Sequence, residues 1–204
     1  LLTKEEIPKW DADYFISKMP FVTRLFKNRL NVAIKLAEIK DDSTVLDIGC
    51  NRAYLFKLIH EQNSLCKLYG IDIDLPPLEV MWDTHCEFKT GDVRTIPYQN
   101  ESFDIVFVTD VLEHVDELDI ALKEIHRVIK PNGVAILSGP TESRFYKFCR
   151  FLWLRHFNVE YHVHTVRNIE KKLESNRFQL IKRRSLPRFP IPELFRISKY
   201  KKIV

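Results

Sequence analysis

Four short apolar runs in the middle of the chain each end beside an acid: TVLDIG (44–49), KLYGIDI (67–73), CEFKT (86–90, followed by Gly91-Asp92) and FDIVFVT (103–109, followed by Asp110). They alternate with candidate helices near 52–62, 76–83 and 117–130, and a fifth run, GVAILS, occupies 133–138. Strands separated by helices in this way read as βαβ units and a parallel sheet. The stretch at 117–130 is the clearest helix, with apolar residues at 118, 121, 122, 125, 128 and 129 on one face. Pro131 and Gly133 should end it. An open parallel sheet takes its ligand outside the carboxyl ends of its strands, which is where these acids fall.

Taken together, the strand ends offer Asp47, Gly49, Cys50 and Asn51, then Asp72 and Asp74, then Asp92, and finally Thr109, Asp110, Glu113 and His114. A ring of carboxylates repels phosphate, which disfavours a nicotinamide or flavin dinucleotide. The same ring attracts a cation that also carries ribose hydroxyls and an exocyclic amine. S-adenosylmethionine has that character.

The stretches VLDIGCNRAYL, YGIDID, TGDVRTIPYQNESFDIVFVTDVLEHV and ALKEIHRVIKPNGVAIL resemble the class I S-adenosylmethionine-dependent methyltransferases of the type-11 sort. The similarity covers roughly residues 40–140, in order and spacing. It implies a Rossmann-like α/β fold with a mostly parallel seven-stranded sheet, helices on both faces and a helical, aromatic lid. Within a single domain, 1–40 would be a helical lid segment and 41–141 the S-adenosylmethionine-binding core. Residues 142–204 would complete the sheet and the acceptor pocket.

The resemblance also implies roles. Asp47 and Gly49 would lie near the methionine part, with Cys50 and Asn51 in the same turn. Asp72 would pair with the ribose hydroxyls and Ile73 would lie against the adenine face. Asp92 would accept from the adenine amine, with Val93 beside it, and Thr109 would hold the methionine moiety. Asp110 and His114 are the candidate catalytic residues, as general base or as anchors of the loop. Asp110, Glu113 and His114 are spaced like an E-x-x-E-H stretch that holds a divalent metal in quinone-ring O-methyltransferases, but Asp replaces the first Glu and LEHV is widespread in type-11 methyltransferases that need no metal, so no metal is expected. Asp47 and Asp72 could alternatively cap following helices. The family's later glycines are replaced by Asn51 and Ala53, with Arg52 between them. Asn tolerates left-handed backbone better than other non-glycine residues.

Charge is unevenly distributed. From residue 144 onward there are 16 Lys and Arg against 4 Asp and Glu, while the first 143 residues hold 16 against 24. Such polarity suits phosphate or an anionic membrane, or is a solvated face. RFYKFCRFLWLRHF (144–157), if helical, separates Arg144, Lys147, Arg150 and Arg155 from most aromatics. It could lie on an anionic membrane or serve as a lid. The implied acceptor is a small-molecule or lipid-like compound, methylated at oxygen or nitrogen. An RNA or protein acceptor read through the basic third, or a non-catalytic binding module, are the alternatives. His162 and His164 would line the pocket or cap the helix TVRNIEKKLESN (165–176), and RFQLIKRR (177–184) reads as a late strand. Four cysteines without a C-x-x-C suggest reduced thiols, no zinc site and a cytoplasmic location, with peripheral membrane contact through 144–157. No apolar run is long enough to span a bilayer, and no signal-peptide pattern opens the chain.

Overall fold

The computed structural model describes residues 20–62, 65–77, 81, 83, 85–148, 162–187 and 192–203. Seven strands form one sheet in the order β3-β2-β1-β4-β5-β7-β6. They are β1 (Thr44–Ile48), β2 (Lys67–Asp72), β3 (Glu87–Thr90), β4 (Phe103–Thr109), β5 (Ile129–Pro140), β6 (Phe178–Leu186) and β7 (Phe195–Lys202). The first five pair in parallel, and β7 runs antiparallel between β5 and β6. The helices are α1 (Pro20–Ala37), α2 (Tyr54–His60), α3 (Leu118–Val128) and α4 (Val166–Ser175), with a 3-10 turn at Leu112–His114.

The sheet separates two apolar layers. Leu46, Ile48, Val106 and Val108 pack with Leu118, Leu122 and Ile125 of α3 and with Ile169 and Leu173 of α4. On the other face Val45, Ile105, Phe107, Ile136 and Ile197 pack with α1 and α2 through Leu30, Ala33, Leu55, Phe56 and Ile59. Burial on both faces is why β4 reads FDIVFVT without alternation. At the edge, β3 is four residues long and mostly exposed. α1 covers part of the segment expected as a lid, and Leu30, Ala33, Ile34, Leu36 and Ala37 are all buried against the sheet.

The expected strands and the helices at 52–62, 117–130 and 165–176 appear with modest changes of boundary. Thr165 caps α4, its side chain accepting from the Asn168 backbone N–H. α3 stops at Val128, and the chain enters β5 at once, so Pro131 and Gly133 sit inside the strand. Its pairing with β4 jumps from Phe103–Ile129 to Ile105–Val134, and the residues between bulge out. The helix expected near 76–83 falls largely outside the described residues, and the described positions there are not helical. Of the 144–157 stretch, 144–148 are helical and the remainder lies outside the described residues.

The turn after β1 positions the site. Gly49 adopts φ 75°, and a Cβ on it would come within 2.3 Å of Val111 Cγ2. Its N–H and that of Cys50 both donate to the Ile71 carbonyl, at 2.8 and 3.1 Å. Asn51 and Ala53 take φ 44° and 62°, so the positions where the family places glycine do use left-handed backbone. Asn51→Gly should therefore leave stability unchanged, whereas Asn51→Val should cost about 1–2 kcal/mol in urea denaturation, the penalty for a β-branched residue in that region.

Candidate functional site

The strand ends converge as carboxylates on a short arc of the sheet. Asp47 of β1 is 2% exposed and its Oδ1 has no hydrogen-bond partner. Burial, reinforced by the Asp72 charge, pushes its carboxyl well above the usual range. Asp72, at the end of β2, is oriented by two backbone donors. Oδ2 accepts from Asn51 N–H at 2.9 Å and Oδ1 from Asp74 N–H at 3.1 Å. A carboxylate held by two donors keeps lone pairs for two more. Cys50 is 4% exposed, with its thiol raised by burial and then by Asp47 and Asp72, and it lies where a Cβ on Gly70 would stand 2.8 Å from its sulfur.

Ile73 follows β2 and is 71% exposed, an apolar side chain at the mouth of the cleft. Val93 instead buries its side chain in the core with Ile71 and Ile96. Asp92 forms a two-pronged pair with Arg94, with contacts of 2.6–3.1 Å. That pair holds its carboxyl below the usual range. Arg94 also reaches Glu117 at 2.9 Å. Thr109 ends β4 beside Ser138, and Asp110 follows in left-handed backbone, φ 55°.

Asp110 is engaged by a residue that the sequence reading missed. Arg29 of α1 contacts both carboxylate oxygens: Nη1 donates to Oδ1 at 2.7 Å and Nη2 to Oδ2. The Arg29 side chain is 1% exposed, and its guanidinium carbon lies 4.7 Å from the Phe26 ring centre and 4.6 Å from that of Phe195. One signal was available: Arg29 falls on the apolar stripe of α1, four residues from Leu25 and from Ala33.

Next to this pair, Glu113 is 2% exposed and its Oε1 is unpartnered. Burial, and then the neighbouring Asp110, push its carboxyl up to about 8. Its backbone carbonyl accepts from Val163 and His164, which ties the segment before α4 to the end of β4. The His114 ring packs edge-on against His162 at 5.0 Å, and His162 Nδ1 meets Glu142 Oε1 at 2.7 Å. Glu113, His114 and His162 offer ligand atoms within 4.8 Å of one another, so the metal-capable trio uses His162 in place of Asp110. Phe26, Arg29, Asp110, Glu113, His114, Pro140, Tyr146, His162 and Phe195 line a cavity of about 180 Å³. A larger groove, about 590 Å³, opens near the amino ends of the strands around Thr44, Glu87 and Phe103, remote from these acids. The smaller cavity is the one lined by the Arg29–Asp110 pair and by Glu113.

Much of the basic excess in the last third is used internally. Lys172 pairs with Asp119, Lys199 with Glu38, Arg183 and Arg196 with Glu170, and Arg167 with Glu193. Lys202 donates to the Ile129 carbonyl at 2.7 Å. Among the described residues no helix is long and apolar enough to cross a membrane.

Residues 46–137 match the model of the methyltransferase domain family. A demethylmenaquinone methyltransferase from Lactobacillus johnsonii is 36% identical over 146 residues, which is 62% of this chain and 60% of the relative. The mitochondrial arginine-hydroxylase of Mus musculus is 32% identical over 107 residues, 50% of this chain and 31% of the relative. The chain thus spans between about a third and three fifths of these relatives' length. An S-adenosylmethionine-dependent methyltransferase structure from Methanosarcina mazei superimposes with a TM-score of 0.65, at 20% identity, over 84% of this chain and 97% of that one. The fold is the Rossmann-like class I methyltransferase fold.

The raised Glu113 carboxyl has a consequence for stability. Native Glu113 holds its proton up to about pH 8, while an unfolded glutamate loses it near pH 4.3. Between those values the native state binds the extra proton, so its contribution falls as pH rises. From about pH 5 to 8 the wild type should lose about 1.4 kcal/mol of stability per pH unit through this group. Glu113→Gln should remove that slope in urea melts across the range.

Proposed function

We propose that this chain, whose residues 46–137 belong to the methyltransferase domain family, is an S-adenosylmethionine-dependent methyltransferase acting on oxygen or nitrogen of a small, ring-bearing or lipid-like acceptor. The observation that carries the reading is the buried, unpartnered Asp47 Oδ1 beside a fixed Asp72. An isolated buried carboxylate is costly unless a cation or donor meets it. The ammonium and sulfonium of S-adenosylmethionine supply the positive charge, and Asp72 is held in an orientation suited to the ribose hydroxyls. Gly49 leaves room where any Cβ would strike Val111. The exposed Ile73 offers an apolar face to the adenine. Asp92, with Val93 beside it in the chain, would take the adenine amine by giving up part of its pairing with Arg94, whose backbone N–H, Nε and Nη2 engage both of its oxygens. Cys50 and Asn51 shape the turn, and Thr109 borders the methionine end.

When bound, the cofactor supplies an electrophilic methyl group. The chain's task is then to align the acceptor in line with it and exclude water. The 180 Å³ cavity suits one aromatic ring, since a dry cavity of about 150 Å³ holds benzene. Phe26, Tyr146 and Phe195 supply its apolar walls. His114 is the better placed proton acceptor, because both oxygens of Asp110 are engaged by Arg29. The relative named for demethylmenaquinone supports a ring-bearing acceptor. The internal pairing of Lys172, Arg183, Arg196, Lys199 and Lys202 weakens the case for RNA.

Calorimetry with S-adenosylmethionine should detect binding, and Asp72→Asn should weaken it about 10- to 100-fold, the worth of hydrogen bonds to a charged group. No binding at millimolar cofactor would refute the reading. His114→Asn should lower kcat on a phenol or quinol acceptor about 100-fold while leaving cofactor affinity unchanged.

A further inference from the structure

A second constellation lies at the opposite end of the strands from the acids at their carboxyl ends. α2 begins after the carboxyl end of β1 and runs back, so His60, its last residue, stands near the amino ends of the strands. Asp83, His85 and Cys86 precede β3 at that same end. Between them Asp83 is 7% exposed. Its Oδ2 meets His60 Nδ1. Its Oδ1 stands 3.5 Å from His85 Nδ1 and accepts the His85 backbone N–H at 2.9 Å. The three side chains offer ligand atoms within 4.8 Å of one another. Cys86, half-buried, brings its thiol to the same carboxylate.

We propose that His60, Asp83 and His85 form a zinc-type metal site that clamps the end of α2 to the entry of β3. Two imidazoles and a carboxylate, with a thiol adjacent, match the nitrogen, oxygen and sulfur preference of zinc. Magnesium and calcium, which take oxygen ligands, do not fit this set. Tetrahedral zinc holds its ligands about 2.0–2.2 Å away, which puts neighbouring ligand atoms roughly 3.3–3.6 Å apart. Asp83 Oδ1 and His85 Nδ1 already have that spacing. The His85 side chain is 86% exposed and can turn onto a metal without disturbing the core. A plain buried ion pair would account for His60 against one oxygen of Asp83. It does not account for a second imidazole at the other oxygen. The fourth position falls to Cys86 or to water. β3 is a short, largely exposed edge strand, and a metal bound only in the folded state would stabilise its attachment by mass action.

The test is zinc titration of the EDTA-treated full chain by calorimetry and thermal melting, with Co²⁺ as a spectroscopic probe. One equivalent of zinc should bind and raise Tm. Co²⁺ should give the visible absorption of a tetrahedral site, with a near-ultraviolet thiolate band if Cys86 is the fourth ligand. His85→Ala removes an exposed ring and should leave the apo fold intact. It should weaken zinc binding by more than about 100-fold, beyond the 10- to 100-fold that loss of an outer partner costs. His162→Ala, in the other metal-capable trio, should leave this binding unchanged. Absence of stoichiometric zinc binding, equal affinity in His85→Ala, or loss of binding only in His162→Ala would each overturn the proposal.

Discussion

The buried pair of Arg29 and Asp110 joins parts of the chain that are far apart in sequence. Arg29 comes from α1, Asp110 from the end of β4, and the two rings on the guanidinium from α1 and from β7. The Arg29 side chain is 1% exposed and that of Asp110 33%, so removing Asp110 would strand a buried guanidinium, whereas Asp110 without Arg29 would still reach solvent. The pair therefore fixes where α1 crosses the sheet and where the cavity wall stands. With both oxygens engaged by Arg29, the Asp110 carboxylate ties the left-handed turn after β4 to α1.

Around that anchor the site carries uncompensated electrostatics. Asp47 lies buried beside Asp72, and Glu113 lies buried beside Asp110, and each member pushed up is short of a partner. A core selected for stability alone would pair or remove such groups. Their place at the carboxyl ends of adjacent strands is what the proposed binding of a cationic cofactor rests on. The buried acid of α4 is paired by contrast. Glu170 on α4 takes Arg183, Arg196 and Ser198 from the two last strands.

Those last strands explain why the charge distribution misleads. β7 carries Arg196, Lys199 and Lys202, yet it lies inside the sheet between β5 and β6. The lysine and arginine stems are covered while their charged ends reach Glu38, Glu170 and the Ile129 carbonyl. A strand so basic does not show the continuous apolar run that marks β1 or β4, and the sequence reading ended its strand assignments at 177–184. Part of the C-terminal excess of positive charge complements acids of the N-terminal two thirds, through Lys172 with Asp119, Lys199 with Glu38 and Lys202 with Glu101.

What the sequence by itself determined was the parallel core. Apolar runs of five to seven residues, each ended by an acid and followed by a helical period, admit little besides crossover units with polar groups at the strand ends. The same stretches carried the resemblance to methyltransferases, which the family match over 46–137 supports. Asn51 and Ala53 were legible as glycine substitutes because a positive φ is a local backbone property. What only the tertiary structure decided depends on contacts across long separations. Arg29 meets Asp110 over 81 residues and His60 meets Asp83 over 23. Burial, which shifts Asp47 and Glu113 and makes orphaned oxygens consequential, is a property of the packed layers and has no signature in local sequence.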